Sequence, residues 1–277
     1  MRDIDPRLAN IGDDFEAPEV EEGGDDGEGD GLFGSGPDAD QEMPLAAHIE
    51  EMVNRMAVVF VVAAGVAVLV FPVGERIINF LWYSVLPGSD VARPHLYSPP
   101  ELLFTQLKVA SLVGLVLALP VFVYQTYLFM KPGLSPHERR YYLAAIPTSL
   151  VLAFVGITFA YFLVLPTVFQ YFLRYSEGVS TIAFALGKTF NLILILMGYL
   201  ALVFQIPLFV MLAMMMGLVT REWLIRRRLI AWGLFAGLSF LFSPDPTGMS
   251  PIIIAITMIV LFEGTLFLSQ WTEAGKP

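Results

Sequence analysis

The sequence contains no cysteine and only three histidines, His48, His95 and His137. Without a thiol there is no disulfide, no thiolate metal site and no cysteine nucleophile. HERRY at 137–141 begins like the zinc motif H-E-x-x-H, but position 141 is tyrosine. GKT at 187–189 ends like a phosphate-binding loop, yet position 182, where that loop needs glycine, is isoleucine. There is no G-x-S-x-G, so an intramembrane serine protease has no support. No convincing internal repeat is found, which weighs against a standard secondary transporter. No metal, no cofactor and no enzymatic reaction are therefore expected. Charge is scarce as well: 15% of residues are charged, against roughly 25% in soluble domains.

What is present is apolar. Hydrophobic residues make up 56% of the chain, and mean hydropathy is +0.67, the composition of an integral membrane protein. The net charge of −10 is concentrated at one end. Residues 1–43 hold 15 acidic residues against two basic ones, Arg2 and Arg7, whereas residues 44–277 hold 14 basic and 11 acidic. The glycine-rich acidic stretch cannot bury enough surface to offset its ordering entropy, so 1–43 reads as a disordered tail. It has no basic region followed by an apolar core, so it does not read as a secretory signal. The expected organisation is an acidic tail at 1–43, a membrane domain at 44–272 and a short tail at 273–277.

Crossing ~30 Å of hydrocarbon takes roughly 20 apolar residues. Six runs are candidates, at 52–73, 105–130, 141–165, 190–216, 229–243 and 251–269. The fifth is about 22 Å long at 1.5 Å per residue, short for an average bilayer. The loop 131–140 carries Lys131, Arg139 and Arg140, and the loop 217–228 carries Arg221, Arg226, Arg227 and Arg228. That asymmetry marks both loops as cytoplasmic and puts both termini on the same side. The connection GERIINFLWYSVLPG is amphipathic and is expected along the interface. Pro72, Pro120, Pro147, Pro166, Pro207 and Pro251 bend or end spans. The fold class is all-α, a curved bundle of proline-bent membrane helices.

Few polar residues interrupt the spans: Gln125, Gln205, Glu263, and Lys108 near an outer end. Gln205 and Glu263 lie at similar depth, so a polar patch at mid-membrane is expected. A carboxylate there costs about 2.5–3.5 kcal/mol unless it is neutral, paired or wet. Between the second and third runs sits a polar knot, FMKPGLSPHERRYY. Pro132-Gly133 ends one helix and Ser135-Pro136-His137-Glu138 starts the next as a capping box. At the same rim, Glu50, Glu51 and Arg55 precede the first span.

YQTYLFMKPGLSPHERR at 124–140, followed by GITFAYFLVLP at 156–166, resembles the TatC family of twin-arginine translocase subunits. AHIEEMVNR, SPPELLFTQLK, VFQIP, FSPDP and LFE follow the family's order, and the resemblance covers about 45–270. It implies a membrane receptor and core subunit in the cell membrane. Such a subunit binds twin-arginine signal peptides and works with TatA-type single-span partners in an oligomer. Folded proteins are then moved by the transmembrane gradient, with no role for nucleic acid. It further implies that Glu138 and Glu51 receive the signal's arginines, that Phe129 contacts its apolar part, and that Glu101 and Phe104 form a functional segment of the first outer loop. A guanidinium suits such carboxylates because its planar fork donates bidentately. The chain departs from the family's pattern at Val53, where a basic residue is common, at Gln205, where many members carry glutamate, and at Thr257, where proline is common. A different reading takes Gln205 and Glu263 as the midplane site of a gradient-driven solute or ion transporter.

Overall fold

The computed structural model describes residues 45–86, 94–176, 184–243, 245 and 247–273. The acidic segment 1–43 and the final residues 274–277 lie outside the described residues. Among the described residues there are ten α-helices and no β-strand, apart from an isolated parallel bridge between His95 and Ala185. The described fold is all-α, as expected from apolar runs long enough to cross a membrane as helices.

Among the described residues, five stretches are long and apolar enough to cross a membrane: Ile49–Val85, Glu101–Gly133, Glu138–Ser176, Leu186–Met215 and Met249–Gln270. The expected fifth crossing is helix α9, Arg228–Phe242, whose 15 residues set it apart as a shorter apolar helix. The spans are longer than hydropathy alone marks out. Helix α1, Leu45–Val70, passes through a 3-10 turn at Phe71–Val73 into α2, Gly74–Val85. Pro72 sits near the start of that turn, where its missing N–H is no loss. The amphipathic connection expected along the interface is α2, and it turns Ile78, Leu81, Trp82 and Val85 into the protein core.

Helix α3, Glu101–Met130, accommodates Pro120 and ends in a 3-10 turn at Lys131–Gly133. Helix α4, Pro136–Phe159, continues through a π-helical turn, Ala160–Val164, into α5, Leu165–Ser176. Pro166 cannot donate to the carbonyl of Phe162, and the wider turn falls at that point. The fourth span is likewise split. Helix α6, Leu186–Val203, stops where Pro207 leaves the carbonyl of Val203 without its donor, and α7 resumes at Ile206–Met215. The short α8, Arg221–Arg226, leads into α9, and α10 runs Met249–Glu273.

The helices approach closely where glycine permits it. A Cβ on Gly114 of α3 would lie 2.3 Å from the carbonyl oxygen of Ala63 on α1, and one on Gly156 of α4 would lie 2.7 Å from that of Leu200 on α6. The main core joins α2, the π turn, α5, α6 and α10 around Trp82, which stacks on Phe190 with centroids 6.3 Å apart. A second core lies at the other end of α3, where Val123, Tyr127, Leu134, Tyr142, Ala145, Leu208 and Leu212 meet.

Candidate functional site

The polar knot is built as its sequence dictates. Glu138 N–H donates to Ser135 Oγ at 3.4 Å, and Ser135 N–H donates to Glu138 Oε2 at 2.8 Å, the reciprocal pair of a capping box. Leu134 and Tyr142 anchor it in the second core, where the rings of Tyr127 and Tyr142 lie 5.8 Å apart and Tyr142 donates to Met130 Sδ at 3.2 Å. The adjacent guanidinium of Arg139 is turned to the backbone. It donates to the carbonyls of Leu134 at 3.2 Å and Lys131 at 3.4 Å. Arg139 thus closes the end of the preceding turn. Glu138 and Phe129 are both half-buried at this rim.

Helix α1 brings Glu51 to the same end. Ala63 packs on Gly114, and Met56 and Phe122 line one cavity, so α1 and α3 run antiparallel. That register sets Glu51 level with Thr126 and Tyr127, within one helical turn of Phe129. Glu51 is paired within its own helix: Arg55 Nε donates to Glu51 Oε1 at 3.0 Å, and Arg55 Nη2 also contacts that oxygen. The spacing of four residues already signals this pair in the sequence.

Glu101 lies at the other end of α3, and its carboxylate is fully engaged. Oε2 accepts from Tyr97 N–H at 2.8 Å and Ser98 N–H at 3.3 Å, while Oε1 accepts from Gly187 N–H at 2.6 Å. It ties the segment before α3 to the start of α6. Two bonds flanking the His95–Ala185 bridge add to that tie, His95 N–H to the carbonyl of Phe184 at 3.2 Å and Leu186 N–H to the carbonyl of His95 at 3.1 Å. Lys108 Nζ donates to Asn191 Oδ1 at 3.1 Å one step further along. Phe104, one turn after Glu101, is 55% exposed.

Gln205 and Glu263 are not joined into one polar patch. Gln205 is 3% exposed at the α6–α7 break and donates from Nε2 to the carbonyls of Ser149 at 3.1 Å and Ala201 at 3.2 Å. Its Oε1 has no hydrogen-bond partner among the described residues. It borders a cavity of about 250 Å³ lined by Met56, Phe60, Leu119, Phe122 and Phe209. Glu263 accepts from Trp232 Nε1 at 3.0 Å, between α9 and α10. Among the described residues no group of three or more His, Asp or Glu is gathered as for a metal ion.

The partners Gly187, Ser149 and Trp232 carry no local sequence signal, because each lies far along the chain from the residue it meets. Asp245, within FSPDP, holds the start of α10. Its Oδ1 accepts from Thr247 N–H at 2.8 Å and Thr247 Oγ1 at 2.7 Å, and its Oδ2 from Ser250 N–H at 2.9 Å. Burial pushes its carboxyl up, but the bonds from Thr247 and Ser250 outweigh that and leave it below the ordinary aspartate value.

A family model described as Sec-independent protein translocase protein (TatC) matches residues 47–256. Sec-independent protein translocase protein TatCo of Haloferax volcanii is 58% identical over 271 residues, covering 90% of this chain and 62% of that protein. The chain thus spans less than two thirds of that relative's length. The TatC protein of Methanocella arvoryzae is 33% identical over 235 residues, covering 85% of this chain and 97% of that protein. A crystal structure of the twin-arginine translocase receptor TatC shares the fold. Its TM-score is 0.70 at 24% identity, over 81% of this chain and 98% of that one.

Proposed function

Since the chain belongs to the TatC family of Sec-independent protein translocase proteins, we propose that it binds twin-arginine signal peptides at the rim formed by Glu51, Phe129 and Glu138. In this reading it is the receptor and core subunit of a translocase in the cell membrane. Both termini are cytoplasmic and α9 is a sixth crossing. Single-span TatA-type subunits join it in an oligomer, and the transmembrane gradient drives folded cargo across. It makes and breaks no bond in the cargo. Glu101 and Phe104 serve on the outer face, Glu101 by holding the loop and Phe104 as an exposed contact.

One observation carries the assignment. The capping box holds Glu138 rigidly at the rim, while its neighbour Arg139 is engaged by backbone carbonyls. A fixed carboxylate loses little entropy when it accepts a guanidinium, and charge-assisted pairs of this kind are the strong ones. Glu51 supplies the second carboxylate once Arg55 yields. The pair is half-buried and of the i,i+4 helix kind worth roughly 0.3–0.5 kcal/mol where exposed, so an incoming arginine, which restores the same charge-assisted bond, displaces it at modest cost.

The test separates cap from receptor. Glutamine serves a capping box as well as glutamate does, so Glu138→Gln keeps the helix start and removes only the charge. Photocrosslinking to a twin-arginine signal peptide should fall at least tenfold in Glu138→Gln at unchanged protein level. Ser135→Ala removes the hydroxyl half of the cap but keeps the backbone N–H that holds the carboxylate, and should retain most crosslinking. Wild-type crosslinking in a Glu51→Gln, Glu138→Gln double variant would sink the assignment. The solute-transporter alternative is not favoured: Gln205 and Glu263 are bonded to separate partners, and the family is one of protein translocases.

A further inference from the structure

The corner between α8 and α9 carries Arg221, Arg226, Arg227 and Arg228, with Glu222 as the carboxylate of α8. Arg221 is turned inward and donates from Nε to the carbonyl of Leu266 at 3.3 Å. Arg226 stands 3.9 Å from Glu222, with both side chains more than 80% exposed, a pair that holds neither group tightly. Arg227 lies 5.5 Å from the Trp223 ring centroid and Arg228 lies 5.9 Å from that of Trp232. A guanidinium stacked on an indole keeps its N–H edge available for other acceptors. All three of these arginines are exposed. Around them Leu218, Leu229 and Ile230 are 64–71% exposed, and Trp223 and Ile225 are exposed too.

We propose that this corner binds the phosphate of an anionic phospholipid. A partner here must meet two demands together: acceptor oxygens for three guanidinia, and an apolar body for the flanking side chains. A phospholipid meets both. Free phosphate meets only the first, and an acidic protein segment leaves Leu229 and Ile230 in water. The position agrees, because the arginines directly precede the apolar α9. With Leu229 and Ile230 in hydrocarbon, the guanidinia stand at headgroup level and the two indoles at the membrane–water boundary. The bound lipid pins the start of α9, the helix that packs chiefly along α10.

Native mass spectrometry of the purified full-length chain, titrated with phosphatidylglycerol or phosphatidylcholine, tests this. Phosphatidylglycerol should be retained preferentially. Its affinity should fall about fivefold for each arginine removed in the series ending at Arg226→Gln, Arg227→Gln, Arg228→Gln. Arg174→Gln, which removes a distant charge, should leave it unchanged. Arg227→Lys with Arg228→Lys should be intermediate, since charge is kept and the planar fork lost. Undiminished phosphatidylglycerol retention by the triple variant overturns the proposal. So does displacement of the lipid by inorganic phosphate or by a polyglutamate peptide. Should the triple variant misfold, a photoactivatable phosphatidylglycerol on the wild-type chain decides. Crosslinks within 218–232 support the site, and crosslinks confined to other segments overturn it.

Discussion

Gln205 shows how much a single atom type matters inside an apolar bundle. Its Nε2 feeds two helix carbonyls, those of Ser149 and Ala201, and it borders an apolar cavity. A carboxylate in its place has no N–H to give and faces those same oxygens. Burying an unpaired charge is costly, whereas an apolar group of similar shape leaves no charge to compensate. Gln205→Glu should therefore lower the melting temperature in detergent at neutral pH more than Gln205→Met does; the reverse order would disprove this account. Asp245 presents the opposite case, a buried carboxylate that is well supplied with donors. Its depressed value means that its contribution to stability is present above the ordinary aspartate range and is lost as pH falls through the depressed value. Asp245→Asn should melt lower than wild type at neutral pH, by the loss of bonds worth about 1.5–3 kcal/mol. The gap should close on acidification. A gap constant with pH would show that the charge is not its cause.

At the scale of elements, three glycines in helices or at their ends behave differently because their surroundings differ. Gly156 faces the backbone of α6, with Leu200 O 2.7 Å and Ala201 Cα 3.1 Å from any added Cβ. Gly217, with φ +69°, ends α7 in a Schellman motif: Leu218 N–H donates to the carbonyl of Ala213 at 3.0 Å and Gly217 N–H to that of Met214 at 3.1 Å. Gly65 has open space around it. Thermal melts in detergent should rank them accordingly. Gly156→Ala should be the most destabilising and Gly217→Ala should cost about 1–2 kcal/mol. Gly65→Ala should be neutral or gain up to about 1 kcal/mol from helix propensity. The same contrast explains what could be read from the chain in advance. The capping box at Ser135 and Glu138, the breaks near Pro72 and Pro207 and the short α9 follow from residues within a turn or two of each other, and the sequence displays them. The inward turn of α2 and the separate fates of Gln205 and Glu263 depend on which helices become neighbours. Depth along a span, taken from hydropathy, cannot report that. Glu51 with Arg55 lies between these cases, a local pair whose proposed role depends on a rim assembled from three helices.

The whole molecule fastens its two ends by different means. The rim with Glu138 is fixed locally, by a cap and a small aromatic core. The opposite end is fixed by contacts across 80 residues or more of sequence, Glu101 to Gly187 and Lys108 to Asn191. If signal binding belongs to the rim and later steps require the opposite end, the two must separate on mutation. Gly187→Ala is the instrument for this, because its Cβ would lie 2.7 Å from Glu101 Oε1 and push the carboxylate off the start of α6. A charge-assisted bond of about 1.5–3 kcal/mol is lost, while Tyr97 and Ser98 can still hold the displaced Oε2. The segment 94–100 before α3 should then become more accessible to protease in detergent. Glu101→Ala should open it further, since Tyr97 and Ser98 lose their acceptor as well, and the double variant should be no worse than Glu101→Ala alone, as expected for residues acting through one contact. Signal-peptide crosslinking at the rim should stay at the wild-type level in all three, and translocation of folded cargo should fall. Loss of crosslinking together with translocation would mean that the ends are not independently fixed, and that the clamp at Glu101 supports the rim through α3.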